Sequence, residues 1–324
     1  MKPCLYIVVP CFNEESVLPV TVTIFVEKIK SLIDTGAISE NSRVMFVNDG
    51  SSDDTWGIIC EQSEKSPYVT GISLARNYGH QNALLAGLSE TVDKCDITIS
   101  MDCDGQDDIN AVDEMIKEYL KGNEIVYGIR KERKKDTFFK RHSAQFFYKF
   151  LAWMGSKVVY NHADYRLMSN AVVKELMNYK EVNLYLRGLI PLLGYKSSSV
   201  YYSRAERIAG KTHYPFRKML NLALDGITSL SVRPLRIIIS MGLIVTFFCF
   251  IGVIWTIVVR LTGYAIDGWA SSTCIICFLG GIQLVSIGVV GEYVGKIYME
   301  TKSRPRFNIT RKTYQDQPNK NPQD

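Results

Sequence analysis

The sequence has no G-x-G-x-x-G after any of its short apolar runs, so nothing in it points to a dinucleotide fold. It has no P-loop either. Gly210-Lys211-Thr212 supplies the end of one, but Ala205 stands where the first glycine is required, and no strand leads into it. Paired cysteine ligands are also missing. Of the eight cysteines only Cys274 and Cys277 form a C-x-x-C, within an apolar run and without a second pair, so they read as small packing residues and no zinc site is expected. The stretch MKPCLYIVVPCFNEE holds too short an apolar run for a signal peptide. A cytosol-facing N-terminal region with reduced thiols is therefore expected.

Charge is absent from two long stretches. None occurs in the 23 residues from Ile237 to Val259, or in the 24 from Gly268 to Gly291. Roughly 20 apolar residues span a bilayer core, so each is long enough to cross a membrane. Arg233 and Arg236 precede the first stretch, and Lys296, Lys302, Arg304 and Arg306 follow the second. The connecting RLTGYAID carries one Arg and one Asp. Under the positive-inside rule both ends of this hairpin face the cytoplasm. The net charge of +5 is modest, and no nucleic-acid partner is expected.

Before residue 230, short apolar runs alternate with helix-length amphipathic stretches. LYIVVP (5–10), RVMFVND (43–49), VTGISLA (69–75), ITISMD (97–102) and EIVYGI (124–129) are expected strands. Helices are expected from about Glu15 to Ile33, from near Asp53, over GHQNALLAGLSETV and over INAVDEMIKEYL. Such alternation predicts an α/β domain with a mostly parallel sheet and helices on both faces. Ligands in such sheets bind beyond the strand C-termini. PCFNEE, NDGSSDD, ARNYGHQ and DCDGQDD all fall there. Residues 138–156 interleave Phe, Tyr, Leu and Trp with Lys and Arg, as an ordinary packed helix or one lying on a membrane surface would. Residues 216–236 read as an amphipathic lead-in to the first span, and the polar tail after Phe307 as loose.

The row of carboxylates in ISMDCDGQDD repels itself unless a cation sits among them. Asp102 and Asp104, at i and i+2 where a strand ends, are hard oxygen donors suited to Mg²⁺ or Mn²⁺, with Gln106 as a further oxygen. A solvated acidic loop explains a D-x-D alone about as well, and the cation reading strengthens where other motifs point to the same rim.

VVPCFNEE, VNDGSSDDT, LARNYGHQNALLAGL and SMDCDGQDD, in that order and spacing, resemble the family 2 glycosyltransferases, GT-A fold enzymes that use sugar nucleotides. ADYRLMS (163–169), RIAGKTHYPFRKMLNLALDGI (207–227) and the two apolar spans resemble the bactoprenol glucosyltransferases and dolichyl-phosphate mannose synthases. The likeness runs to about Phe307. Asp107-Asp108-Ile109 departs from the Asp-Pro-Pro common in relatives, which bears on loop rigidity and not on metal ligands.

The resemblance implies a GT-A catalytic domain over 1–215, a juxtamembrane segment over 216–236, a transmembrane hairpin over 237–291 and a cytoplasmic tail over 292–324. It implies that Pro10, Asn13 and Glu14 shape a base pocket and that Asp49 contacts uracil or ribose. Asp102 would face nucleotide and metal, with Asp104 and Gln106 on the metal. Arg207 and Lys211 would close over the diphosphate, and Arg130 and Arg133 would meet a lipid phosphate. Asp164 sits where relatives are assigned a catalytic carboxylate, with Arg166 beside it among the substrate-binding residues. The implied reaction is inverting transfer of a hexose, most simply glucose, from a UDP-sugar to polyprenyl phosphate. An acceptor phosphate, with a second pKa near ~6, is largely dianionic at neutral pH and needs little from a base. Asp164 is therefore expected to orient the acceptor or to balance nearby cations. A homo-oligomer (a tetramer) and a small flippase-type membrane partner are also implied.

Plainer readings stand beside these. Asp49-Gly50-Ser51 also reads as a turn with a helix cap, Asp164 as an ion-pair partner of Arg166 or another cation, Arg130 and Arg133 as a solvated basic face, and His80 as a locally satisfied helix-start residue. UDP-N-acetylglucosamine, UDP-galactose and GDP-mannose remain alternative donors. A processive synthase would carry Q-x-x-R-W, and none of the four tryptophans follows an Arg. A membrane-tethered nucleotide-binding scaffold would not require Asp102, Asp104, Gln106, Arg207 and Lys211 together.

Overall fold

The computed structural model describes residues 2–131, 162–181, 185–203, 233–261 and 269–314. In chain order these form β1 (Leu5–Cys11), α1 (Leu18–Asp34), β2 (Arg43–Asn48), α2 (Thr55–Lys65), β3 (Val69–Leu74), α3 (His80–Thr91), β4 (Ile97–Ser100), α4 (Ala111–Leu120) and β5 (Ile125–Arg130). They continue with β6 (His162–Ser169), α5 (Asn170–Asn178), α6 (Leu186–Leu192), β7 (Ser197–Tyr202), α7 (Arg233–Leu261), α8 (Trp269–Thr301) and β8 (Ile309–Lys312). The helices α7 and α8 belong to one compact unit, and the eight strands with α1 to α6 to another.

The eight strands make one sheet in the order β7-β5-β6-β4-β1-β2-β3-β8. β1 pairs in parallel with β2 and β4, β2 with β3, and β5 with β7. β6 runs antiparallel between β4 and β5, and β8 antiparallel along β3. The five expected strands are present within a residue or two. β6, β7 and β8 were not expected.

Alternation within strands sets the layers. Leu5, Ile7 and Val9 point into one core with α1, α2 and α4, while Val8 points into the other with α3, α5 and α6. Gly87 lets α3 lie close on the sheet, since a Cβ there would stand 2.4 Å from Val8 Cγ1 and 2.7 Å from Val47 Cγ2. α5 follows β6 without a loop, capped by the Ser169 hydroxyl, which accepts from Val172 N–H at 3.3 Å.

The loose tail after Phe307 is a correction. Residues 309–312 complete the sheet edge, and the next two residues are held as well. Thr313 N–H donates to Gly71 O at 3.0 Å and its hydroxyl accepts from Gly71 N–H at 2.9 Å. Tyr314 O–H donates to Glu90 at 2.6 Å, and Lys312 pairs with Glu90 at 2.8 Å. An edge strand leaves backbone groups unpaired, and this segment supplies the partners for β3.

In the other unit α7 and α8 are 29 and 33 residues long, with large apolar side chains such as Phe247, Phe248, Trp255, Leu284 and Val285 exposed. Among the described residues one stretch, Phe278–Thr301 with mean hydropathy 1.4, is long and apolar enough to cross a membrane. It overlaps the expected second span and runs past Gly291. Residues 138–156 and 216–232 lie outside the described residues.

Candidate active site

The motif loops gather at the C-terminal rim of the parallel strands. Those after β1 and β2 are bonded to each other. Asn13 Oδ1 accepts from Ser52 N–H at 2.9 Å, Asn13 N–H donates to Ser51 Oγ, and Glu14 N–H donates to Thr55 Oγ1. Asn13 adopts a positive φ of 54° and stays exposed. Pro10 is buried in β1 opposite Val47, so it can shape a pocket only from behind this rim.

Asp49 is buried, and its two oxygens accept from the backbone N–H groups of Tyr78 and Gly79 at 2.8 and 3.0 Å. Both carboxylate oxygens thus hold the loop that leads into α3, a tie between distant loops and not a bond within the Asp49-Gly50-Ser51 turn. Gly50 has φ +65°, and a Cβ there would lie 2.3 Å from the backbone carbonyl carbon of Arg76. Only glycine lets these two loops touch.

His80 begins α3 and reaches across the rim. Its Nε2 lies 3.7 Å from Asp102 Oδ1 and 3.6 Å from Asp164 Oδ2. Asp164 and Arg166 alternate with Tyr165 and Leu167 along β6, which sends the first pair to the α3 and α6 side of the sheet. The Asp164 carboxylate accepts from Arg166 Nη2, and from Arg187 Nε at 3.2 Å and Nη2 at 2.9 Å. Burial pushes the Asp164 carboxyl up, but the contact with His80 and the charges of Arg166 and Arg187 outweigh it and hold the group well below its ordinary range. Such a carboxylate is a weak base and a firm counter-ion.

Arg166 is a correction. With 0% of its side chain exposed it presents no surface to a substrate, and its Nε and Nη1 have no hydrogen-bond partner among the described residues. The ion-pair reading of Asp164 with Arg166 is the one the geometry bears out.

In the acidic loop, Asp104 Oδ1 accepts from Gln106 N–H at 3.1 Å. Burial first, and then the carboxylates of Asp107, Asp164 and Asp104, push the Asp102 carboxyl above its ordinary value against the pull of His80. Gln106 Oε1 is buried without a hydrogen-bond partner among the described residues. Negative charge gathered beside an orphaned acceptor fits a divalent cation. Among the described residues no three His, Cys, Asp or Glu side chains are grouped to hold a metal by themselves.

Asp107 anchors the end of this loop. It is 1% exposed and accepts from Tyr202 O–H at 2.6 Å, while Arg130 stands 3.4 Å away and donates through Nε to Tyr202 at 3.2 Å. The guanidinium proposed for lipid phosphate is thus matched by a carboxylate. A cleft of about 450 Å³ opens between this loop and Thr21, Ile24 and Phe25 of α1, within the size range of small-ligand sites. Arg133, Arg207 and Lys211 lie outside the described residues.

Sequence reasoning missed His80 as a bridge, Arg187 and the Asp107–Tyr202 pair. An Arg amid the apolar LRGLIPLL is the one local signal that could have marked the second.

A largely parallel α/β sheet with a strand-end D-x-D loop, followed by two long apolar helices, is the layout of a GT-A glycosyltransferase with a C-terminal hairpin. Residues 6–177 match glycosyl transferase family 2, and residues 233–297 match the GtrB C-terminal hairpin. The chain belongs to glycosyl transferase family 2. It is 47% identical over 98% of its length to "Uncharacterized glycosyltransferase YkoT" of Bacillus subtilis, covering 94% of that protein. The "Prophage bactoprenol glucosyl transferase homolog" of Escherichia coli is 40% identical over 94% of this chain and 98% of its own. The "Bactoprenol glucosyl transferase" of Shigella phage SfX is 38% identical over 94% of this chain and 97% of its own.

Proposed function

We propose that the protein transfers a hexose, glucose before other sugars, from a UDP-sugar to polyprenyl phosphate at the cytoplasmic membrane face, with inversion at the anomeric carbon. The observation that carries the reading is the row Asp102–His80–Asp164–Arg187 at the sheet rim, within a chain matched along nearly its whole length by bactoprenol glucosyl transferases. Asp102, Asp104 and Gln106 would hold Mg²⁺ or Mn²⁺, which when bound stabilises charge on the departing diphosphate. Asn13 and Glu14, on the rim loop after β1, would receive the nucleoside. The acceptor phosphate oxygen forms the new bond to the anomeric carbon as the bond to UDP breaks. Asp164, held by two guanidiniums, orients cations and takes no proton.

Membrane residence has its own support. Ser203 and Pro305 belong to the same unit, and β8 pairs with β3, which supports a hairpin that enters and leaves the membrane on one side. Two crossings, with both termini cytoplasmic, also satisfy the placement of Lys and Arg. A flippase-type partner and a tetramer rest on the family resemblance alone.

The test is a panel of UDP-glucose, UDP-N-acetylglucosamine, UDP-galactose and GDP-mannose, each radiolabelled and incubated with membranes and undecaprenyl phosphate. UDP-glucose is expected to give the most organic-extractable label. Label from none of the four would refute the reading, and preference for another sugar would overturn only the choice of donor.

A further inference from the structure

Asp164 holds more than one cation. One carboxylate faces two guanidiniums. Arg166 is fully buried, so water cannot solvate its charge, and Asp164 is the counter-ion that makes that burial tolerable. Arg187 grips the same carboxylate but is 36% exposed. Of the two guanidiniums, Arg187 is therefore the one an anion from solvent can reach, and the charge of Asp102 acts on it as well. Around Asp107 the count differs, because Arg130 is matched one to one.

The place of this exposed guanidinium is specific. His80 Nε2 approaches the Asp164 oxygen that Arg187 Nη2 holds, and it also approaches Asp102. One imidazole thus separates the open edge of Arg187 from the D-x-D loop. Arg187 is also held from behind. Leu186 N–H donates to Gln81 Oε1 at 2.8 Å, so the residue after His80 sets the start of α6. Two adjacent residues of α3 fix both sides of the cluster.

We infer that Arg187 binds the phosphate of the acceptor, with Gln81 as the residue that positions it. This rests on the proposed transfer to polyprenyl phosphate. A planar guanidinium fixed on one edge by a carboxylate presents its remaining N–H groups in a set direction, which suits a phosphate. A phosphate there stands across His80 from the carboxylates proposed to hold the donor's cation, and so is a second anion, distinct from the diphosphate. The donor's own phosphate is the competing source of the same chemistry, and kinetics separates the two.

Transfer is measured with the full-length chain carrying Arg187→Ala, Arg187→Gln or Gln81→Ala, with UDP binding by calorimetry as a readout of an intact donor site. Arg187→Ala is expected to raise KM for polyprenyl phosphate by about tenfold to a hundredfold, with KM for the UDP-sugar and Kd for UDP changed by less than about twofold. Gln81→Ala is expected to shift the same KM by less. If Arg187→Ala no longer binds UDP, Arg187→Gln decides, because it can still donate to Asp164 without the charge and must show the same selective rise. A rise confined to the UDP-sugar would assign Arg187 to the donor and overturn the inference. Equal shifts for both substrates, or a fall in kcat with neither KM changed, would also overturn it. If the unsubstituted chain transfers no sugar, the functional reading fails and the inference falls with it. Transfer with an unselective Arg187 variant fails the inference alone.

Discussion

Ending the chain after Arg304 removes β8 and tests whether the C-terminal segment is structural. Four bonds to the β3 edge are lost beyond the central ladder: Thr313 N–H to Gly71 O, Gly71 N–H to Thr313 Oγ1, Ala75 N–H to Asn308 O, and Thr310 O–H to Ser73 O. Net values near 1 kcal/mol each give about 4 kcal/mol, less whatever water restores at the new edge. Phe307, Ile309 and Tyr314, which pack on the second core, are lost as well, and partial burial of such side chains adds about 1–2 kcal/mol apiece. Water and chain entropy reduce the sum, so a net loss of about 5 kcal/mol is expected, similar to the whole stability of many domains. At roughly 2–4 °C per kcal/mol, thermal unfolding of the detergent-solubilised protein should fall by about 10 °C or more, with aggregation through the bare β3 edge. Thr313→Val is the milder probe. It keeps the shape but leaves Gly71 N–H without its acceptor, at a cost of about 1–2 kcal/mol. A truncated chain that unfolds within about 2 °C of the parent would refute the reasoning.

Burial pushes the Glu90 carboxyl up, but hydrogen bonds from Lys312 and Tyr314 and the charge of Lys94 outweigh it and hold the group below its ordinary 4.5. A depressed folded value stabilises fully above the unfolded one and is lost as pH falls through it, so Glu90→Gln should flatten the acid limb of a stability–pH curve below about pH 5. An unchanged limb would refute the pairing. Tyr202→Phe removes the hydroxyl donor from buried Asp107, and should cost about 1.5–3 kcal/mol in unfolding experiments and raise KM for the nucleotide sugar as the acidic loop loosens. Asp104→Ala, or EDTA on the parent, should abolish transfer while UV circular dichroism stays unchanged, and Mg²⁺ or Mn²⁺ should rescue the parent alone. Full activity in EDTA would remove the metal from the scheme. Single cysteines at Gly263 and Asn308 should label from opposite sides of sealed vesicles, and labelling from one side would refute the two-crossing topology.

Much of the architecture was legible because its causes are local. The alternation of Leu5, Ile7 and Val9 against Val8, and the charge-free runs before Arg260 and Glu292, are properties of neighbours along the chain. The strand-end position of Asp102 and Asp104 followed from the same reading. The likeness to family 2 lay in four rim motifs, each short and contiguous. What these patterns could not carry was pairing between distant residues. β6 has ordinary strand residues, and nothing in HADYRLMS says that it runs antiparallel between β4 and β5. Ile309–Lys312 is a short polar segment, and only the unpaired edge of β3 makes it a strand.

The site divides in the same way. Sequence by itself carried the class of chemistry, because the four rim motifs that resemble family 2 are each contiguous in the chain, whereas the strand-end carboxylates alone suit a solvated loop as well as a cation. Only tertiary structure decided which groups meet. Arg166 looked like a substrate contact and became a buried counter-charge, because strand alternation turns it inward beside Asp164. His80 looked like a helix start and became a bridge, because α3 sits close on the sheet over Gly87 and sets its first residue between two carboxylates from other strands. Arg187, from a short helix more than a hundred residues further on, completes the cluster through packing that leaves no periodic trace in the chain.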